Sequence, residues 1–137
     1  MNEISEKIIG CAIRVHRTLG PGLLESTYEV CLIHELQKAG LSVQSQLALP
    51  VIYDGIKLDA GYRIDLLGEN AVIVELKAIE CLLPIHEAQV ISYLKLSGKK
   101  VGLLINFNVK QLIKGLLILT KKKNSVFSVS SVVNKIW

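Results

Sequence analysis

The spacing of hydrophobic residues changes period along the chain, and those changes divide it into elements. Ile4, Ile8, Cys11 with Ala12, Val15 and Leu19 recur on one helical face, which predicts an amphipathic helix from Glu3 to Leu19. Asn2 stands at the N-cap position, and Gly20-Pro21-Gly22 ends the segment. Leu24, Tyr28, Cys31 with Leu32, and Leu36 form a second stripe, predicting a helix over about 23–39 that stops at Gly40. The period then falls to two. Val43, Leu47, Leu49, Val51 and Tyr53 share one side of a strand over 42–53, and Asp54-Gly55 is a strong type I′ hairpin signal. A strand over 56–67 would place Ile56, Leu58, Ala60, Tyr62, Ile64 and Leu66 on one face, and a strand over 71–77 would complete an antiparallel meander. Past a connection at 78–84, Pro84 marks a helix start. The helix over 85–96 would pack Ala88, Ile91 and Leu94 on the sheet and end before Gly98. Val101–Phe107 is continuously apolar, as a strand covered on both faces is, and 115–120 reads as another strand. Lys121–Ser125 reads as a turn or exposed loop, and 126–137 alternates only loosely.

Charged residues interrupt this pattern at one place. Glu75 and Lys77 project from the same side of the third strand, embedded among Val72, Ile73, Val74, Leu76 and Ala78. Asp65 lies on the strand before. A three-residue turn at Gly68-Glu69-Asn70 would pair Leu67 with Ala71, setting Asp65 opposite Ile73 and diagonal to Glu75. A two-residue turn at Glu69-Asn70 would place Asp65 on the wrong face unless a bulge restored it.

Two carboxylates aimed at one point suit Mg²⁺ or Mn²⁺, hard cations that prefer oxygen ligands and retain water. The Leu76 carbonyl could add a ligand, and the Lys77 ammonium could lower the pKa of a nucleophilic water or stabilise transition-state charge. The competing reading is a structural network in which Lys77 bridges the acids. Glu25, in the first turn of the second helix, is explained by the helix dipole unless that helix start points at Asp65 and Glu75. His86, Gln89 and Tyr93 share one helical stripe, with His86 better explained as a helix-start residue than as a ligand. No second His or Cys stands at zinc spacing, and neither a Gly-rich phosphate loop nor a G-x-S-x-G element is present.

The 137 residues suit one domain, helical over 1–40, with sheet and core helix over 42–120 and a tail over 121–137. No apolar run reaches membrane-spanning length, so no membrane partner is expected. The acid-bearing N-terminus argues against a signal peptide. Cys11, Cys31 and Cys81 are read as core hydrophobes in a reducing cytoplasm. All 12 acids precede residue 88, while 88–137 carry nine lysines and no acid, a polarity that could attract nucleic acid or only keep the surface solvated.

Gly22-Leu-Leu-Glu25-Ser-Thr-Tyr28 resembles the G-x-x-E-x-x-Y pattern of the GxxExxY protein family. Gly61-Tyr-Arg-Ile-Asp65, Val74-Glu75-Leu-Lys77, His86-Glu-Ala-Gln89, Tyr93-Leu-Lys and Gly102-Leu-Leu-Ile-Asn-Phe-Asn108 follow in that family's order, covering about 3–120. The family resembles the PD-(D/E)XK nuclease superfamily. The resemblance implies an α/β, three-layer restriction-endonuclease-like core of order α-β-β-β-α-β, with a mixed sheet containing an antiparallel meander. It implies that Asp65, Glu75 and Lys77 are the superfamily's D and E-x-K, that Glu25 is the acid supplied by the preceding helix, and that Gln89 and Tyr93 form a substrate-positioning Q-x-x-x-Y element. Ile64 replaces the usual proline before the Asp, and no motif matches from Lys121 onward.

The leading expectation is a Mg²⁺- or Mn²⁺-dependent nuclease, with Asp65 and Glu75 as metal ligands, Lys77 and Glu25 as catalytic partners, and DNA preferred over RNA as substrate. A catalytically silent nucleic-acid- or partner-binding module, or an oligomeric interaction domain with paired charges, are the alternatives.

Overall fold

A computed structural model describes residues 2–121 and 125–128. The first helix, α1 (Glu3–Leu19), has the expected bounds, and Asn2 Oδ1 accepts the Ser5 N–H at 2.7 Å as its cap. The second, α2 (Glu25–Lys38), begins later than its apolar stripe suggested. Leu24 is its extended N-cap and is 74% exposed, so it contributes nothing to the stripe carried by Tyr28, Leu32 and Leu36.

The strands are β1 (Val43–Ala48), β2 (Val51–Tyr53), β3 (Ile56–Leu58), β4 (Arg63–Gly68), β5 (Val72–Lys77), β6 (Val101–Asn106), β7 (Leu116–Thr120) and β8 (Ser125–Ser128), with α3 (Pro84–Ser97) between β5 and β6 and a 3-10 turn at Leu112–Gly115. One sheet runs in the order β1-β4-β5-β6-β7-β8. It is antiparallel except where α3 carries the chain back to place β6 parallel to β5. This is an α/β fold with the restriction-endonuclease-like order α-β-β-β-α-β through α2, β1, β4, β5, α3 and β6.

Both long strands expected, over 42–53 and 56–67, are broken. The Leu49 N–H donates to the Tyr62 carbonyl at 2.9 Å, and the chain between them leaves the main sheet. There β2 and β3 form a separate two-stranded sheet. Its turn is the expected one, with Asp54 at φ 51° and Gly55 at φ 74°. Tyr53, Ile56 and Leu58 are exposed rather than packed, because no layer covers the hairpin. Alternation there records a free-standing arm, not a core strand.

Two apolar layers sandwich the sheet. On one side α1 and α2 pack Ile8, Val15, Tyr28 and Leu32 against Leu66, Val74, Leu103 and Phe107. On the other, Val90, Tyr93 and Leu94 of α3 pack against Ile64, Ile73, Leu104 and Leu119. Ala88, expected to face the sheet, is exposed, and Val90 takes that role. Gly102 permits the close approach: a Cβ there would lie 2.8 Å from Val90 Cγ1. The Leu83 N–H donates to His86 Nδ1 at 2.9 Å, which makes His86 a helix-start residue.

Of the cysteines only Cys11 is buried; Cys31 is half-buried and Cys81 exposed, and all three are free. Ser125 already belongs to β8, so the expected loop is shorter than 121–125, and positions 122–124 and 129–137 lie outside the described residues. Among the described residues no helix is long and apolar enough to cross a membrane.

Candidate functional site

The site begins with the turn between β4 and β5. Glu69 and Asn70 both have positive φ, 51° and 52°, and the Ala71 N–H donates to the Gly68 carbonyl at 3.0 Å. This is a two-residue turn of the I′ sense. The next register pair is Gly68 with Val72, so Ala71 is left over as a bulge. The three-residue turn expected over 68–70 is therefore replaced by a two-residue turn plus a bulge, and the register moves with it. Leu67 pairs with Ile73 and Leu66 with Val74, which brings Asp65 directly opposite Glu75 rather than opposite Ile73. Glu69 holds the turn against β1: its N–H donates to the Ser42 carbonyl at 2.8 Å, and its Oε2 accepts the Ser42 N–H at 2.7 Å.

Beyond Leu66 and Val74 the two strands fork, and side chains replace the backbone ladder. The Asp65 N–H donates to Glu75 Oε2 at 2.7 Å, and the Leu76 N–H donates to Asp65 Oδ2 at 2.9 Å. Each carboxylate is thus fixed by an amide of the facing strand. The break also changes which layer the strand serves. Ile64 and Leu66, two apart, would share a face in a regular strand, yet Leu66 lies in the core under α1 and α2 and Ile64 in the core under α3. Asp65 occupies the crossover.

Opposite Asp65 on β1, Gln46 has a left-handed φ of 51°. Its Nε2 donates to Glu29 Oε1 at 2.8 Å and reaches Asp65 Oδ1 at 3.4 Å. Glu29 lies one helical turn after Glu25, so the start of α2 does point at the fork. Partial burial and then the charge of Asp65 hold the Glu25 carboxyl above the usual carboxylate range, with Lys77 opposing them.

Glu75 is 5% exposed. Burial, and after it the Asp65 charge, push its carboxyl up to about 8 against the Asp65 amide and Lys77, which act the other way. Among the described residues neither acid makes an ion pair with Lys77; the ion pairs are Lys7–Glu3 and Arg14–Glu35. Glu75 Oε1 has no protein donor among the described residues, and Asp65 Oδ1 has only the long contact from Gln46. Two anchored carboxylates, each with an oxygen left over, are a donor set that fits a hard divalent cation. No group of three or more His, Cys, Asp or Glu side chains converges on one point among the described residues. Glu25 therefore does not join the carboxylate pair as a third converging acid among the described residues.

Gln89 and Tyr93 meet on α3, where Gln89 Nε2 donates to the Tyr93 hydroxyl at 3.1 Å. Burial raises the Tyr93 phenol, and the charges of Glu75 and Asp65 raise it further, so its hydroxyl sits within their field. Tyr62 leans on Tyr93, ring centroids 6.2 Å apart and planes at 60°.

Two buried residues hold the surrounding backbone. The Tyr28 hydroxyl donates to the Gly20 carbonyl at 2.6 Å and accepts the Leu23 N–H at 3.1 Å, closing the loop that delivers Glu25. Asn106 Oδ1 accepts the Ile79 N–H at 3.1 Å while its Nδ2 donates to the Ile79 carbonyl at 3.0 Å, and the Phe107 N–H donates to the Lys77 carbonyl at 2.9 Å. The chain leaving Lys77 is clamped on both sides.

Glu29, Gln46 and Asn106 were not singled out from the sequence. Glu29 carried a signal, its spacing of one turn from Glu25. Gln46 carried none, since its place opposite Asp65 is set by where β1 and β4 close the base of the β2–β3 excursion. The model of the PD-(D/E)XK nuclease superfamily matches residues 2–116. No curated protein and no solved structure matches the chain.

Proposed function

Because the chain belongs to the PD-(D/E)XK nuclease superfamily, we propose that the β4–β5 fork is a metal-dependent phosphodiesterase site acting on nucleic acid, in a protein of the GxxExxY branch. One observation carries this reading. Glu75 is a buried acid facing a second acid, Asp65, with no cationic side chain among the described residues paired to either. A native fold keeps such an arrangement at a cost, and a bound cation would remove it.

Asp65 and Glu75 would hold Mg²⁺ or Mn²⁺ through the oxygens that the backbone amides leave open. The bound ion supplies charge neutralisation at the phosphodiester and a more acidic water. Lys77, its carbonyl held by the Phe107 N–H, directs its ammonium at the phosphate oxygens and stabilises the charge that develops there. Glu25, whose proton affinity is raised, exchanges a proton with solvent at the rim of the fork. Gln89 and Tyr93 position the strand. DNA is the preferred substrate, approached across the lysines of the acid-free half, of which Lys95, Lys100, Lys110 and Lys114 are exposed. A reducing cytoplasm suits the exposed free Cys81.

Incubation of the purified chain with Mg²⁺ or Mn²⁺ and a panel of DNA and RNA substrates tests the proposal. Cleavage should vanish in EDTA and fall at least about 100-fold in Glu75→Ala and Lys77→Ala. Cleavage that persists in both variants would come from elsewhere and would overturn it. The exposed lysines also support a second reading, a silent nucleic-acid-binding module. Salt-dependent binding with no cleavage under any metal would select that one.

A further inference from the structure

We propose that the cavity between α3 and the β2–β3 hairpin arm receives one unpaired nucleobase, so that the substrate is single-stranded or locally opened nucleic acid. The inference rests on the phosphodiesterase reading for the strand that runs past the fork; the cavity stands on its own geometry. It measures about 400 Å³, at the lower end of the range of small-molecule sites.

Its walls are apolar and aromatic: Val51 and Tyr62 from the hairpin side, Ile85 and Leu96 from α3. Gln89 and Tyr93, hydrogen-bonded to each other, supply polar atoms. Tyr62 is 46% exposed and Ile85 67%, so the fold leaves this surface uncovered. A purine or pyrimidine has the flat apolar faces that such walls accept, and stacking on a tyrosine is tolerant of sequence. The Gln89 amide nitrogen is committed to Tyr93, which leaves its carbonyl oxygen to accept from the edge of a base.

The cavity lies beside the fork: Tyr93, which lines it, packs in the same apolar core as Ile64, the residue before Asp65. The Tyr93 hydroxyl accepts from Gln89 Nε2 at 3.1 Å and its ring meets Tyr62, so the polar and aromatic walls join on the residue nearest that core. A strand whose phosphate sits at Asp65 and Glu75 would therefore have an adjacent base at the cavity mouth. In an intact duplex that base is stacked and paired, and taking it out costs free energy that a single strand does not spend. The hairpin extends the same wall outward, since Tyr53, Ile56 and Leu58 alternate onto the Val51 side of β2–β3 and Ile52 onto the other.

Fluorescence anisotropy with the full chain in EDTA, where nothing is cut, tests this with three labelled probes of one length: a single strand, its duplex, and a single strand made abasic. The intact single strand should bind about tenfold tighter than either of the others. Tyr62→Ala should lose that advantage, Tyr62→Trp should retain it, and Ile85→Asp on the opposite wall should lose it too. Ile52→Ala, on the far face of the hairpin, should bind as the parent does. Tyr62 and Ile85 are both exposed, and a thermal melt confirms that each variant folds. Equal affinity for intact and abasic strands overturns the proposal. So does a dimer, seen by light scattering, that Tyr62→Ala dissolves without changing single-strand affinity. If Glu75→Ala abolishes cleavage while intact and abasic strands bind alike, the phosphodiesterase reading survives and the base pocket fails. If base-dependent binding is found but no metal supports cleavage, the pocket survives and the phosphodiesterase reading fails.

Discussion

Tyr28 and Phe107 lie face to face, ring centroids 4.5 Å apart and planes 11° from parallel. Both are fully buried, and the stack joins the start of α2 to the end of β6. Each partner also holds a piece of the site. The Tyr28 hydroxyl closes the loop before Glu25, and the Phe107 amide holds the Lys77 carbonyl. The tyrosine of the Gly22-x-x-Glu25-x-x-Tyr28 pattern is therefore a fastening between layers, while the glutamate of the same pattern faces the fork.

Tyr28→Phe keeps the stack and removes the hydroxyl, leaving the Gly20 carbonyl and the Leu23 N–H without that partner. Urea denaturation should show a loss of about 1–3 kcal/mol. Tyr28→Ala removes the ring as well and should cost about 3–5 kcal/mol.

Glu75 makes stability depend on pH in a definite direction. Its carboxyl titrates near 8 in the folded chain against 4.5 ordinarily, so between those values the folded state holds a proton that the unfolded state has released. Stability from this group therefore falls as pH rises from about 4.5 to 8 and is level beyond. Glu75→Gln removes the contribution. Thermal melts in EDTA should show the variant matching the parent at pH 4 and exceeding it by roughly 5 °C at pH 8.5.

The same proton competes with a cation. Mn²⁺ binding measured by calorimetry should strengthen by up to about tenfold per pH unit below 8 and level off above it. Asp65→Asn should weaken binding at every pH. Affinity that is flat between pH 6 and 8 would mean that no proton is displaced from Glu75, and the carboxylate pair would not be the metal site.

Gln46 should separate stability from activity. A non-glycine residue at φ 51° carries a backbone cost of about 1–2 kcal/mol. Gln46→Gly should recover roughly 1 kcal/mol in a denaturant melt while releasing Glu29 and Asp65 from the shared carboxamide. Cleavage by the variant should drop. Gln46→Ala loses the carboxamide without relieving the backbone and should be worse on both counts.

The helices were legible because their ends carry chemistry in single residues. Asn2 caps α1 through its own side chain, and Gly98 ends α3 in a left-handed conformation at φ 75°. The acids and lysine of the fork were legible as a cluster, since an acid embedded in an apolar strand stands out wherever it falls. Their register was not. A two-residue turn alone would set Asp65 opposite Val74, and the one bulged residue, Ala71, moves it on to Glu75; nothing in alanine announces a bulge. Nor could period-two alternation distinguish β2 and β3, exposed on an arm, from β1 and β4 in the sheet. Both patterns have the same spacing, and only the missing layer above the arm tells them apart.

That arm has an evolutionary implication. The chain departs and returns at Leu49 and Tyr62, which are joined by a hydrogen bond, while Ala48 and Arg63 already pair in the main sheet. Everything between is an insert on a closed base, and neither apolar core draws on the hairpin's exposed tip. Such a segment can lengthen, shorten or be exchanged among relatives without disturbing the carboxylates. Selection could then edit a few residues at the rim while the carboxylate pair is inherited intact.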